Sequence, residues 1–128
     1  MQTNLNRHTF WILPAAMLLA AALGAAPAKD AVRGRETFEK RCTGCHALDS
    51  IKAGPPLRNV YGRKAGKDAK FAYSDALRGS TVIWDEATLD RWLADTDSVV
   101  PDNEMPFRLG DPADRANIVA YLRQLAHK

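Results

Sequence analysis

The feature that most constrains the fold of this chain is a long stretch, residues 47–81, in which no helical or strand pattern is sustained. It contains a Pro55-Pro56 pair and several glycines, residues that favour turns and loops. A loop-rich stretch of this length is unusual in a small domain, and short helices alone would bury too little apolar surface to hold it. The sequence therefore predicts that a large planar cofactor fills part of the core.

Apolar residues at helical spacing predict three short helices outside this stretch. The first is expected over residues 31–44, the second over residues 81–94 and the third over residues 111–125. Residues 96–109 contain two prolines and are expected to form a loop. The predicted fold class is therefore all-α, with a few short helices and long loops wrapped around one cofactor.

Residues 1–28 have the composition of a secretory signal peptide. Residues 10–26 carry no charge, a basic residue precedes them, and small residues at the −3 and −1 positions predict cleavage after Ala28. The alternative is a retained membrane anchor, although an apolar stretch this short, interrupted by Pro14, is at the lower limit for spanning a bilayer. We expect export to the periplasm as one domain, residues 29–128, with membrane contact only if the segment is retained.

Removal of the first segment would leave few side chains that can bind a transition metal. The mature chain would keep two cysteines, two histidines and a single methionine: Cys42, Cys45, His46, His127 and Met105. Because the set is this small, the candidate sites can be compared one by one.

Four kinds of site compete for the motif Cys42-Thr43-Gly44-Cys45-His46. A thioredoxin-like redox pair needs a βαβ pattern, which the sequence lacks. A zinc site completed by His127 would place two ligands side by side, whereas zinc sites favour a second spaced pair. A disulfide is the plain alternative in an exported chain. C-x-x-C-H with a downstream methionine is instead the arrangement that attaches a haem.

The spacing explains this preference. Two thiols three residues apart can reach the two vinyl groups on one edge of a porphyrin, and the histidine that follows then lies beneath the iron. Met105 is the candidate for the opposite face, because it lies in the proline-bounded polar segment 100–107, where core packing explains little. His127 is the rival ligand, but it is the penultimate residue, where chains are usually poorly ordered.

The segments around this motif share the order and spacing of a known family. They are Gly34-x-x-x-Phe38, Gly54-Pro55-x-Leu57-x-x-x-Tyr61-Gly62-Arg63, Phe71-x-Tyr73-Ser74-Asp75-Ala76, and Trp84 with Leu89. In these segments the sequence resembles the class I cytochromes c, close to the mitochondrial and cytochrome c2 branch, over nearly all of residues 33–126. The resemblance implies that the first helix crosses the last one at Ile118 and Tyr121.

The resemblance also implies one covalently bound haem c. Cys42 and Cys45 would form its thioethers, and His46 and Met105 would be the axial ligands of its iron. The carbonyl of Pro55 would accept the Nδ1–H of His46, a bond that fixes the ring and raises its basicity.

Six further cofactor-binding residues follow from matching positions. Arg63, Tyr73 and Trp84 match the positions that hold a buried haem propionate. The other three belong to the Met105 side of the haem: Trp92, Asn103 and Phe107. Trp92 replaces a tyrosine that commonly lies beside the methionine sulfur, and Asn103 replaces a threonine while keeping a hydrogen-bond donor.

The charges are unevenly distributed. Residues 29–78 carry twelve basic and six acidic side chains, a net charge of +6, whereas residues 79–128 carry five basic and nine acidic ones, a net charge of −4. This asymmetry favours orientation of a charged partner and argues against nucleic acid. The lysines that usually surround the exposed haem edge in the family are largely replaced, with Asp97, Glu104 and Asp111 in that region.

The resemblance predicts an electron carrier rather than an enzyme, monomeric and without a small-molecule substrate. Its expected partners are redox proteins, either a respiratory complex or a periplasmic dehydrogenase. The acidic side chains favour the alternative of a dedicated haem c subunit or electron acceptor of such a dehydrogenase. A peroxidase or gas-binding protein would require Met105 to leave the iron, because six-coordinate iron has no open position.

Overall fold

The computed structural model describes residues 29–126, which form four α-helices and one short 3₁₀ turn. The bounds are α1 Ala31–Arg41, α2 Asp75–Gly79, α3 Glu86–Ala94 and α4 Pro112–Leu125, and the 3₁₀ turn is Thr96–Ser98. Within these residues no strand forms, and an isolated antiparallel bridge joins Lys64 to Ile83. The predicted all-α fold class is therefore confirmed.

The predicted signal peptide, residues 1–28, and the rival ligand His127 lie outside the described residues. Between residues 29 and 126, none of the helices has both the length and the apolar character needed to cross a bilayer.

The packing of α1 against α4 joins the two ends of the described chain. A Cβ at Gly34 would overlap the carbonyl group of Asn117, so the two backbones approach as closely as they do only because this position is glycine. One turn away, the rings of Phe38 and Tyr121 meet edge to face with their centroids 5.5 Å apart. The backbone N–H of Asp30 also donates to Oδ1 of Asn117 at 2.9 Å. The expected crossing is therefore present, centred on Asn117 and Tyr121.

Two predicted helices start or end elsewhere. The first was expected to continue to residue 44 but ends at Arg41, because residues 42–45 tighten into a turn. The second was expected from residue 81 but begins at Glu86, since Asp85 caps it in a capping box. Residues 82–84 pair instead with residues 62–65 through backbone hydrogen bonds of 2.7–2.9 Å. These backbone pairings, which helical periodicity does not report, determine where the helix can begin.

The long loop is packed onto the core rather than extended into solvent. Ala65 is completely buried, and Val60 is 6% exposed. Backbone hydrogen bonds of 3.1 Å connect Leu57 and Arg58 to residues 47–48, which closes the loop on itself behind the cysteine motif. The short helix α2, which the sequence analysis missed, interrupts the second half of the loop and is capped by the side chain of Ser74.

We expect Gly34→Ala to lower the free energy of unfolding of the haem-loaded protein by about 2–3 kcal/mol, because the added methyl group must separate α1 from α4. Denaturant titration followed by far-ultraviolet circular dichroism measures this change. Gly110→Ala is the matched control, since a Cβ there meets open space, and it should change stability by less than about 0.5 kcal/mol. Equal stability of the two variants would contradict the proposed backbone contact.

Candidate functional site

An apolar cavity of about 410 Å³ lies between the cysteine motif, the long loop and the segment that contains Met105. Its volume is within the range of roughly 300–1,000 Å³ that small-molecule sites occupy. All of the site residues expected from the sequence line it: Cys42, Cys45, His46, Pro55, Arg63, Tyr73, Trp84, Trp92, Asn103, Met105 and Phe107. Segments that are far apart in the sequence are thus brought to one place.

The two thiols lie on the wall of this cavity, where α1 ends. The backbone N–H groups of Cys45 and His46 both donate to the carbonyl of Cys42, at 3.1 and 2.8 Å, and wind the motif into a tight turn. Cys42 is half-buried and Cys45 is exposed, and both are free thiols. Burial raises the pKa of the Cys42 thiol to about 11, so this thiol is protonated at neutral pH. Cys45 is thus among the exposed residues of the cavity lining, whereas the thiol of Cys42 lies deeper.

A hydrogen bond at Nδ1 orients the His46 ring and leaves Nε2 free to bind a metal. The ring is 7% exposed, and its Nδ1 lies 2.8 Å from the carbonyl oxygen of Pro55. Because a carbonyl oxygen only accepts, this bond places the proton on Nδ1 and leaves Nε2 as the available lone pair. Burial lowers the pKa of His46, an effect that the Pro55 hydrogen bond opposes in part. The neutral imidazole that results is the form that ligates iron.

Gly54 allows this arrangement. A Cβ at this position would lie 2.6 Å from Nδ1 of His46 and closer still to the neighbouring ring carbon. No other residue type can pass this close behind the imidazole, which gives a physical reason for the glycine next to Pro55.

Met105 enters the cavity from a backbone with two unusual conformations. Asp102 and Glu104 have φ angles of 61° and 65°, the left-handed region that non-glycine residues rarely occupy. Asn103, between them, is buried, and its side-chain oxygen accepts the backbone N–H of Met105 at 2.6 Å. The hydroxyl of Thr96 donates to the carbonyl of Met105 at 2.7 Å. The methionine is thereby fixed through its own peptide groups.

A cationic side chain in the cavity fits an anionic group of a ligand. The buried Nε of Arg63 has no hydrogen-bond partner within residues 29–126, although Nη1 of the same guanidinium is 3.6 Å from a carboxylate oxygen of Asp68. An unpaired buried donor of this kind is costly unless a ligand completes it. Tyr73 lies close by, with its hydroxyl accepting the backbone N–H of Asp68 at 3.3 Å. The pair suits the carboxylate of a haem propionate.

The remaining walls are flat and aromatic. The rings of Trp84 and Trp92 lie with their centroids 5.0 Å apart, and those of Phe71 and Tyr73 are 4.8 Å apart in an edge-to-face pair. Phe107, half-buried, packs against the same core. A planar, largely apolar macrocycle is the kind of ligand that such walls accommodate.

The competing kinds of site do not match this geometry. The part of the chain that the structure describes contains no parallel strands for a thioredoxin-like unit. In the same range, 29–126, no group of three or more His, Cys, Asp or Glu side chains is placed to hold a metal ion. Thiols on one wall, a histidine that presents Nε2, a methionine and an arginine whose Nε has no partner among the described residues define instead the site of a c-type cytochrome.

Comparison with known proteins leads to the same class. The cytochrome c family model matches residues 31–126. The chain is 47% identical to cytochrome c2 iso-2 of Magnetospirillum fulvum over 87 residues, 66% of this chain and 91% of that protein. It is 43% identical to cytochrome c2 of Rhodomicrobium vannielii over 99 residues, 74% and 78% of the two chains. Cytochrome cH from Methylobacterium extorquens superposes with a TM-score of 0.71 and 40% identity, covering 74% of this chain and 98% of that one.

The chain therefore belongs to the cytochrome c family, as a class I cytochrome c of the cytochrome c2-like kind. Members of this family bind one covalent haem c and carry electrons rather than act as enzymes, and Cys42 and Cys45 fit its attachment motif.

Three contacts of the site were not expected from the sequence, which places Asp97 near the haem edge only as a surface charge. Asp68 is paired with Arg63, Thr96 binds the carbonyl of Met105, and Asp97 accepts a hydrogen bond from the amide of Asn103. Each contacts a site residue through a turn whose geometry depends on the folded chain. No spacing in the sequence distinguishes them from ordinary polar residues.

We expect Gly54→Ala to displace the His46 ring from Pro55, because the new methyl group occupies the space behind the imidazole. The yield of haem-containing protein should fall, and the free energy of unfolding of what forms should drop by about 2 kcal/mol. Absorption spectra and denaturant titration measure both effects. Gly44→Ala, inside the motif but facing open space, is the matched control and should behave as the wild type. A fully haem-loaded, equally stable Gly54→Ala protein would contradict this account.

Proposed function

We propose that this protein is exported and works in the periplasm as a single-haem carrier, transferring one electron between redox partners through iron ligated by His46 and Met105. The observation that carries the proposal is the orientation of His46. Its Nδ1 is engaged by Pro55, 2.8 Å away, so that Nε2 is the nitrogen available in a cavity that Met105 also lines.

The bound haem supplies a one-electron iron couple, and the chain determines how that couple is used. Cys42 and Cys45 would hold the macrocycle, and His46 and Met105 would ligate its iron. Ligation by both residues would leave no open position for a substrate, which favours electron transfer over bond-making chemistry. Histidine–methionine ligation and an apolar surrounding also raise the reduction potential relative to a bis-histidine site.

Exclusion of water is the second contribution of the chain. Trp84, Trp92 and Leu93 are each at most 6% exposed and close the interior side of the cavity. Cys45 is among the exposed residues of the cavity lining. A partner would therefore approach the haem at the exposed edge that includes Cys45.

The charges beside this edge have two signs. On the side of the cysteine motif, Arg41 lines the cavity and is exposed. On the other side, Glu104 lines the cavity and is exposed, and Asp97 and Asp111 are exposed nearby in the sequence. A partner that meets the Met105 side would need basic groups there. This charge pattern favours the second candidate function, a dedicated haem c subunit or electron acceptor of a periplasmic dehydrogenase.

Export is proposed from the composition of residues 1–28, with cleavage after Ala28. Haem attachment requires reduced thiols outside the cytoplasm, and the free thiols of Cys42 and Cys45 on one wall of the cavity are compatible with it.

We expect the exported protein to have the intact mass of residues 29–128 plus one covalent haem. Its ferric absorption spectrum should contain the methionine–iron charge-transfer band, and the band should vanish in Met105→Ala while the covalent haem remains. Mass spectrometry and visible spectroscopy of the same sample test both parts. Survival of the band in Met105→Ala would exclude Met105 as the ligand, and a mass that includes residues 1–28 would show that the segment is retained.

Gentle purification at low ionic strength separates the two candidate functions. A dedicated subunit should elute in a stoichiometric complex with an oxidoreductase, and it should dissociate as salt screens the charges around Glu104. A diffusible carrier should elute as a free monomer at every ionic strength. Size-exclusion chromatography of protein extracted from its native cells measures the difference.

A further inference from the structure

The backbone of Met105 is held on both sides by one short turn of the chain, Thr96–Ser98. We propose that Asp97 and Asn103 are positioning residues that keep Met105 on the iron, with Asn103 transmitting the position of Asp97 to the methionine. This inference rests on the proposed ligation by Met105 and adds the residues that determine how firmly the ligand is held.

Asn103 is the central element. Its side chain is 3% exposed, and both of its polar atoms are hydrogen-bonded. The Nδ2 group donates to Oδ1 of Asp97 at 3.0 Å and to the carbonyl of Val100 at 2.9 Å. The Oδ1 atom accepts the backbone N–H of Met105 at 2.6 Å. Because both donors and the acceptor are engaged, the amide has one orientation, and that orientation fixes the peptide of Met105.

The second contact comes from the neighbouring residue of the same turn. Thr96 is 1% exposed, and its hydroxyl donates to the carbonyl of Met105 at 2.7 Å. The N–H of Met105 is thus connected to residue 97 through Asn103, and its carbonyl is connected directly to residue 96. The 3₁₀ turn is in turn held by Asp95, whose side chain accepts the backbone N–H of Asp97 at 3.2 Å.

The conformation that these bonds hold is not one that the segment would adopt by itself. Asp102 and Glu104, on either side of Asn103, have left-handed φ angles of 61° and 65°. Aspartate visits this region occasionally, but the conformation is unfavourable for Glu104 and persists when surrounding contacts impose it. Weakening the contacts of Asn103 would therefore allow the segment to relax and Met105 to leave the iron more often.

Asp97 differs from the buried Thr96 and Asn103 because it is exposed, while its carboxylate accepts a hydrogen bond from the buried amide of Asn103. A hydrogen bond to an ionised acceptor is roughly twice as strong as a neutral one. Asp97 can also be altered without opening the core, so its variants test the positioning role without the risk of misfolding.

The experiment measures how readily imidazole displaces methionine from the ferric haem-loaded protein, read from loss of the charge-transfer band. An exogenous ligand binds more tightly when the methionine-free state is more populated. We expect Asp97→Ala to increase the apparent affinity for imidazole about tenfold, and Asp97→Asn, which keeps an acceptor, about threefold. The matched control is Asp102→Asn, which removes the same charge from an exposed residue of the same loop. Asparagine tolerates the left-handed conformation as aspartate does, so the affinity for imidazole should be unchanged.

A reciprocal exchange tests the contact between the two side chains. Asn103→Asp keeps an acceptor for the N–H of Met105 but faces Asp97 with a second carboxylate, so displacement by imidazole should become at least about tenfold easier. Adding Asp97→Asn restores one donor and one acceptor with the roles reversed, and should recover part of the wild-type affinity and of the charge-transfer band. A purely structural role for either residue would not produce this recovery.

Two results would overturn the proposal in distinguishable ways. If the wild-type protein shows the band but Asp97→Ala and Asp97→Asn bind imidazole as the wild type does, Asp97 does not position the ligand. If the wild-type protein lacks the band and Met105→Ala has the same spectrum, the ligation by Met105 fails, and the positioning role fails with it.

Discussion

Contact between an apolar haem and the walls of the cavity is the interaction on which the helices and loops jointly depend. The four helices have at most 14 residues each, and long loops connect several of them. The helices and loops bury a cluster of apolar side chains, among them Phe38, Leu89 and Ile118, and the cofactor adds further surface against which the segments around the cavity can pack. The unpaired Nε of Arg63 is consistent with this dependence, because the donor is buried where a propionate would complete it. We therefore expect haem binding to stabilise the fold, in the way that other prosthetic sites contribute to folding.

Much of the fold could be predicted from local signals. The helices α1 and α4 have their apolar residues at helical spacing, and each begins after an aspartate whose side chain accepts the first backbone N–H groups. The elements that were missed depend on contacts between distant parts of the chain. The expected start of the second helix failed because Val82 and Trp84 pair with Ala65 and Arg63. The five-residue helix α2 is too short for its periodicity to be recognised.

The residues of the candidate site likewise divide into those that the sequence predicts and those that depend on contacts in the folded chain. The attachment motif and the single methionine beyond it are patterns that the sequence shows directly, and Pro55, Arg63 and Tyr73 were reached through family resemblance. The residues that support them could not be reached by either route. Thr96 and Asp97 act on Met105 across about nine residues of irregular backbone, through hydrogen bonds of 2.6–3.0 Å that exist only in the folded loop. Their importance arises from geometry, which a single sequence does not encode locally.

The direction of α1 has a consequence for how this domain can be connected to other structures. The helix runs for 11 residues from Ala31 to Arg41, with the attachment motif directly after its last turn, so its first residue is about 16 Å of helix away from Cys42. At that first end, Lys29 contacts Glu86. Anything joined ahead of Lys29 would therefore be separated from the attachment motif by the length of this helix. A tether at this point, to a membrane or to a second protein, would be anchored one helix length from the residues that attach the haem.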